Sequence, residues 1–170
     1  ISIGWALNTL KSKMENTGIY WVGTTNSDWH TATNWSTGQV PTATDTVYLD
    51  HRTAPVAAPA GAYTVNINAN ATCFRLIIDK GASANAIGLT LSGVANLTVV
   101  ENVNVLSGNR ITTSASTNKI IVGGNWTFAA DAILTATAGT IEFNPTSGIK
   151  YVTTPTTNAS TSAFNNFTVN

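Results

Sequence analysis

The chain has 170 residues and no net charge, and charged side chains make up only 9% of it, against about 25% in average soluble proteins. A nucleic-acid-binding protein needs a basic surface to neutralise phosphates, so this composition argues against a nucleic-acid partner. No stretch reaches the roughly 20 apolar residues of a membrane-spanning helix, so we expect no membrane span.

Residues 1–18 form a segment that differs from the rest of the chain. Apolar side chains recur in it at helical spacing, at Ile3, Leu7, Leu10 and Met14. The pattern predicts a short N-terminal helix, which either covers one end of the fold or serves as an arm that docks on another subunit. These four side chains are therefore candidate assembly residues.

Residues 19–50 form a block rich in tryptophan, in which turn residues separate Trp21, Trp29 and Trp35. Two roles fit these rings. They pack as a cap over one end of the fold, or they form an exposed platform for the faces of sugars, which would make a glycan or a host surface the partner. Residues 45–50, at the end of the block, alternate between polar and apolar side chains and predict a strand.

Residues 51–62 are rich in Ala and Pro and predict a loop. Over residues 63–170, short runs with an apolar residue at every second position alternate with Gly, Asn or Ser. The chain contains 29 Thr, which suit strands, and 19 Asn, which suit turns. The pattern predicts an all-β fold, a parallel β-solenoid, with a two-sheet β-sandwich or jelly roll as the alternative. We thus expect a single β domain over residues 19–170. The runs predicted as strands are Tyr63–Ile67, Phe74–Asp79, Gly88–Ser92, Leu97–Val100, Val103–Leu106, Arg110–Thr113, Lys119–Val122, Trp126–Phe128, Ala132–Thr137, Thr140–Phe143, Ile149–Val152 and Phe167–Val169.

Several short motifs occur in a fixed order. They are Tyr20-Trp-Val-Gly23, Asp28-Trp29, Ala32-Thr-Asn-Trp-Ser36, Gly38-Gln-Val-Pro41, Asp45-Thr-Val47, Gly124-Asn-Trp-Thr-Phe128 and Phe164-Asn-Asn-Phe-Thr-Val169. The series resembles the β-solenoid repeat region of large, adhesin-like bacterial surface proteins, which are common in the Bacteroidota and often secreted by the type IX system. The resemblance implies a β-solenoid outside the cell or on its surface, with no catalytic residues. The chain is far shorter than those proteins, and residues 1–18 have no counterpart in the series.

Residues that could carry chemistry are sparse. Neither His30 nor His51 has the neighbours typical of a metal site or of a Ser-His-Asp set, so we expect neither enzyme activity nor a cofactor. Asp28, Asp45 and Asp50 are candidates for a calcium site; alternatively, Asp28 and Asp45 cap turns through Asx hydrogen bonds.

Six Asn-x-Ser/Thr sequences are candidate N-glycosylation sites and would make the chain a glycoprotein. They begin at Asn34, Asn70, Asn96, Asn125, Asn158 and Asn166.

Together these patterns predict a non-enzymatic extracellular structural protein, the subunit of a self-assembling filament or layer on the cell surface. Unpaired strands at the ends of a solenoid invite another chain, so we expect a homopolymer that forms through the chain ends. The segment 1–18 and the last strand, with Phe167 and Val169, are the candidate contact regions. The alternative is an adhesin or a carbohydrate-binding module of a surface protein.

Overall fold

A computed structural model of the chain describes residues 18–55, 57–155 and 164–170. These residues form fifteen short β-strands and one turn of 3-10 helix at Ala32–Asn34. The strands are Gly18–Tyr20 (β1), Thr46–Asp50 (β2), Tyr63–Ile67 (β3), Ala71–Cys73 (β4), Arg75–Asp79 (β5), Ile87–Leu91 (β6), Asn96–Val99 (β7), Val103–Val105 (β8), Arg110–Thr113 (β9), Lys119–Val122 (β10), Trp126–Phe128 (β11), Ile133–Ala136 (β12), Thr140–Phe143 (β13), Val152–Thr153 (β14) and Asn166–Val169 (β15).

The strands form three parallel sheets. Sheet A has the order β1-β2-β5-β8-β11-β14, sheet B the order β4-β7-β10-β13-β15, and sheet C the order β3-β6-β9-β12. From β3 to β14 the chain visits sheets C, B and A in rotation, so the three sheets are the walls of a coiled stack. This confirms the predicted all-β solenoid, and the sandwich alternative does not describe the chain.

Equivalent side chains of successive coils stack in columns inside the solenoid. In sheet B, Leu97 pairs with Ile120 and Ile120 with Ile141, and all three are buried. The neighbouring residues of each strand point outward, so a run such as Asn96–Val99 alternates between the core and water. The period-2 pattern in the sequence therefore reports the inside and outside of the coil.

Asparagine side chains join successive coils at their corners. Asn70 Oδ1 accepts a hydrogen bond from the backbone N–H of Asn96 at 3.1 Å, and Asn96 Oδ1 accepts one from that of Lys119 at 2.9 Å. Asn102 and Asn125 repeat the arrangement at 2.7 Å. The high Asn content thus satisfies backbone groups where the sheets are interrupted, in addition to its role in turns.

Gly123 and Gly124 form a corner at which two coils approach closely. A Cβ atom on Gly123 would lie 2.2 Å from the carbonyl oxygen of Val100, and one on Gly124 would lie 2.5 Å from that of Glu101. Only glycine fits at both positions, because the obstructing atoms are backbone.

The structure departs from the sequence prediction at a few places. It adds β1, which includes Gly18, and β4, neither of which was predicted. The run predicted at Ile149–Val152 forms a strand only at Val152–Thr153. The helix predicted for residues 1–18, apart from Gly18, lies outside the described residues.

Candidate functional site

The tryptophan block closes the N-terminal end of the solenoid core. The side chains of Trp21, Trp29 and Trp35 are 1%, 0% and 2% exposed. Trp35 packs edge-on against both of the other rings, with centroid distances of 4.9 and 4.7 Å, and its Nε1–H donates to the carbonyl oxygen of Trp29 at 2.7 Å. None of the three rings presents a face to solvent, so the exposed glycan platform predicted for them is wrong. We call this part of the molecule, residues 18–45, the cap.

Residues of the cap also form hydrogen bonds along the outer edges of β1 and β3. The backbone N–H of Tyr20 in β1 donates to Ser36 Oγ, and the N–H of Ser36 donates to the carbonyl oxygen of Tyr20 at 2.9 Å. In β3, Asn66 donates its N–H to the carbonyl oxygen of Ser27 at 2.7 Å and accepts one from Trp29 at 2.9 Å. The outer edges of β1 and β3 are therefore engaged within the chain, whereas β4, the first strand of sheet B, pairs only with β7 among the described residues.

Asn34 holds the loops of the cap together. Its Oδ1 accepts hydrogen bonds from the N–H groups of Thr25 and Asn26, and its Nδ2 donates to Asn26 Oδ1 and to the carbonyl oxygen of Asp28. The residue is completely buried. A glycan is attached through Nδ2, so the folded cap has no room for the N-glycan predicted at Asn34.

The three aspartates predicted as a calcium site have separate partners in the protein. Asp28 Oδ1 accepts the backbone N–H of His30 at 2.9 Å and so closes a turn as in the Asx alternative. Asp45 Oδ2 instead accepts the N–H of Thr42, three residues earlier, at 2.8 Å, which is not an Asx turn. Asp50 forms an ion pair with Arg52. In the described part of the chain, no three His, Cys, Asp or Glu side chains converge in a way that suits a metal ion.

A surface groove of about 410 Å³ brings a serine, a histidine and two aspartates together, and Asp50, His51, Asp79 and Ser83 are among its lining residues. A nucleophilic triad requires the histidine to bond both the serine and an acid. Here the two ring nitrogens of His51 lie 2.6 Å and 2.9 Å from the carbonyl oxygens of Pro59 and Asn85. The histidine thus joins two loops and is not aligned with a nucleophile.

The opposite end of the solenoid has a different surface. Phe167 and Val169 of β15 are 49% and 63% exposed, although they continue the buried columns that pass through Ile141 and Phe143 of β13. Within the described residues, β15 pairs with β13 alone, so one edge of β15 has no strand beside it. We call this surface the open end; it comprises β14, β15 and the segment 149–151.

Exposed apolar side chains continue across the open end onto the neighbouring sheet. Ile149, Tyr151 and Val152 are 83%, 68% and 41% exposed. β14 is the last strand of sheet A in the described ranges and pairs there only with β11. The apolar surface therefore spans two of the three walls.

Aromatic contacts hold β15 in place from below. The ring of Phe167 lies 5.2 Å from that of Phe143 and 5.3 Å from that of Phe164, and Phe164 lies 6.0 Å from Trp126. Such packed rings typically contribute about 0.5–1.5 kcal/mol per pair beyond area burial. These contacts attach β15 to the core beneath it.

The remaining predicted site residues have varied locations. Asn70 and Asn166 are exposed, whereas Asn96 and Asn125 are half-buried, and Asn158 lies outside the described residues. The candidate assembly residues Ile3, Leu7, Leu10 and Met14 also lie outside them. Cys73 is buried, and burial raises the pKa of its thiol, which makes it a poor nucleophile.

Sequence analysis missed two features of the two ends. The hydroxyl of Ser36 and the backbone of Ser27 close the outer edges of β1 and β3, and no local motif marks those roles. The corner asparagines were also missed, although their recurrence at Asn102 and Asn125, one coil apart, is a signal that a search for repeats could use.

A comparison of the chain with protein-family models, curated proteins and solved structures finds no match. No helix in the described ranges combines the length and apolar character that crossing a membrane requires.

Proposed function

We propose that this protein is a non-enzymatic extracellular structural protein, the subunit of a self-assembling filament or layer on the cell surface. The observation that carries the proposal is the open end. There, Phe167 and Val169 face water at positions that continue buried columns, and the outer edge of β15 has no partner strand in the described residues.

Two physical effects favour a protein partner at this surface. Unpaired N–H and C=O groups on an exposed strand edge form a template for another strand. Burying a large apolar side chain contributes about 1.5–3 kcal/mol when it is fully removed from water, and five such side chains are exposed together here.

The difference between the two ends supports a directional assembly. The cap engages the outer backbone groups of β1 and β3, whereas the open end leaves those of β15 unpaired within the described residues. A contact between unlike surfaces of identical subunits does not close on itself unless the rotation happens to form a ring, so it extends into a filament. The resemblance to bacterial surface proteins supports a location outside the cell.

The residues that supported the adhesin alternative are buried. Sugar binding was assigned to the faces of Trp21, Trp29 and Trp35, and these faces are buried. The described surface offers no other group of tryptophan rings, because Trp126 is buried as well.

The proposal is tested with Phe167→Lys in the full chain, with Thr168→Lys as the matched control. Both variants add one charge to β15, but Phe167 continues the buried column through Ile141, whereas Thr168 lies beside Glu142. We expect Phe167→Lys to prevent assembly, since it places a charge in the contact, and Thr168→Lys to preserve it. Negative-stain electron microscopy and sedimentation measure the outcome, and normal filaments or layers from Phe167→Lys would refute the proposal.

A further inference from the structure

We propose that His51 joins two surface loops fully only while both nitrogens of its ring carry a proton, so that the join loosens as the pH rises. The first loop comprises residues 51–62, between β2 and β3, and the second comprises residues 80–86, between β5 and β6. We call this join the histidine bridge. It lies on the wall of the solenoid and does not depend on the self-assembly proposed above.

Both ring nitrogens of His51 face hydrogen-bond acceptors. Nδ1 lies 2.6 Å from the carbonyl oxygen of Pro59 in the first loop, and Nε2 lies 2.9 Å from that of Asn85 in the second loop. A carbonyl oxygen accepts hydrogen bonds but has no proton to donate. Each contact is therefore a hydrogen bond only when the nitrogen itself carries the proton.

The charge state of the ring decides how many of these bonds form. A neutral imidazole has one N–H group and one nitrogen lone pair, whereas the imidazolium ion has two N–H groups. In the neutral form, one lone pair of His51 faces a carbonyl oxygen, which is a repulsive contact in place of a hydrogen bond. Histidine side chains change charge between about pH 5 and 8, so the number of bonds in the bridge changes over that range.

The charged and titratable neighbours of His51 on β2 and β3 have other partners. Asp50 forms an ion pair with Arg52. The ring of Tyr63 packs edge-on against the His51 ring, with centroids 5.4 Å apart, and its hydroxyl donates to the carbonyl oxygen of Asp50 at 2.9 Å. None of these groups takes the place of the two carbonyl oxygens as a partner of the ring.

The charged groups on the other side of the groove are also engaged. Asp79 Oδ1 accepts the N–H of Gly81 at 2.7 Å, and Lys80 Nζ donates to the carbonyl oxygen of Ser83 at 2.7 Å. Both residues line the groove together with His51. The pH dependence of the bridge is therefore assigned to the histidine ring.

The first loop lies against the cap. A Cβ atom on Gly23 of the cap would lie 3.0 Å from Pro59 Cγ. A second link between the two loops does not titrate, because Asn85 Nδ2 donates to the carbonyl oxygen of Ala60 at 3.0 Å. Loss of the proton thus loosens the first loop over the cap without releasing it completely.

Hydrogen exchange of the full chain, followed by mass spectrometry, tests the inference. The reporter is a peptide with residues 57–62, in which the N–H of Ala58 donates to the carbonyl oxygen of Arg52 at 2.9 Å. Its protection relative to the unfolded chain should fall about two- to tenfold between pH 5 and 8, because one hydrogen bond is lost. The buried strand β6 should keep its protection. Equal protection of the reporter at both pH values would overturn the inference.

Two substitutions assign the effect to one histidine. His51→Phe retains a ring beside Tyr63 but has no N–H, so the reporter should be weakly protected at every pH. His30→Phe is the matched control, since it removes the other histidine of the chain and leaves the bridge in place, and it should retain the pH dependence of the wild type. Protection of β6 verifies that each variant is folded. A pH dependence that persists in folded His51→Phe, or disappears in folded His30→Phe, would overturn the assignment to His51.

Discussion

At the cap, the outermost apolar side chains of the core are the rings of Trp21, Trp29 and Trp35, which are almost completely buried. At the open end they are Phe167 and Val169, which are about half in water. Both ends belong to one stack of parallel coils, and both face the same difficulty, since the last coil of a solenoid has no neighbour to cover its core or pair with its strands. The cap covers its end with loops of its own chain, whereas the described residues provide no such cover at the open end.

The difference between the cap and the open end shows what is needed to cover the end of a solenoid. In the cap, rings exclude water from the core while Ser27, Trp29 and Ser36 supply hydrogen bonds to strand edges. Among the described residues of the open end, the aromatic packing around Phe164 is present, but strand pairing beyond β15 is not. Packing alone therefore leaves apolar side chains and a strand edge uncovered among the described residues, whereas packing with backbone pairing covers both at β1 and β3.

The largest expected contrast comes from removing one aromatic ring at each end. Trp29→Ala should lower the free energy of unfolding by about 3–5 kcal/mol, because it leaves a cavity in a fully buried cap. Phe167→Ala should cost less, about 1–3 kcal/mol in the monomer, because the ring loses its contacts with Phe143 and Phe164 but is already 49% exposed. Urea denaturation of unassembled protein measures both values.

Trp29→Phe is the control for the cap. It preserves most of the packing and removes the Nε1–H, which is buried and has no hydrogen-bond partner in the described part of the molecule. Its cost should be clearly smaller than that of Trp29→Ala. Equal losses from Trp29→Ala and Phe167→Ala would contradict the difference between the two ends.

An intermediate difference in stability is expected when one asparagine at each end is replaced by alanine. Asn34→Ala should destabilise the chain by about 1–3 kcal/mol, since its buried amide and the partly buried N–H groups of Thr25 and Asn26 lose their hydrogen bonds to each other. The matched change at the open end, Asn166→Ala, should have an effect within about 0.5 kcal/mol, because that side chain is exposed. Thermal and urea unfolding provide the measurement, and a neutral Asn34→Ala would show that the cap does not depend on this residue.

The smallest expected effect is a dependence of cap stability on pH. The backbone N–H of His30 holds the pKa of Asp28 below its usual value of about 3.9. A carboxyl group whose pKa is lower in the folded state stabilises the fold above its unfolded pKa, and this contribution is lost as the pH falls through the folded pKa. Asp28 is about one-third exposed, so solvent weakens the effect.

Melting temperatures of the wild type and of Asp28→Asn between neutral pH and about pH 2.5 test this sign. The wild type should be the more stable protein at neutral pH, and the difference should shrink in acid. A difference that grows as the pH falls would contradict the assignment.

Much of the scaffold could be predicted because its signals are local. Runs such as Arg110–Thr113, Lys119–Val122 and Thr140–Phe143 were predicted with the bounds that the structure has, since the alternation of side chains along one strand reports which face is buried. β4 was missed because it has only three residues and is separated from β5 by Phe74 alone. A strand this short contains too few alternations to be distinguished from a turn.

The sequence by itself determined an all-β fold and the inward side of most strands, because each short run encodes its own inside and outside. The tertiary structure decided for the parallel β-solenoid over the sandwich, since only it shows which strands pair. Only the tertiary structure decided whether the apolar side chains at each end are buried or exposed. Trp29 and Phe167 are both large aromatic residues near an end of the β domain, and composition treats them alike. Their burial depends on what lies above them: loops that return to Trp29 with hydrogen-bond partners for the strand edges, and, at Phe167, a strand edge with no partner in the described chain.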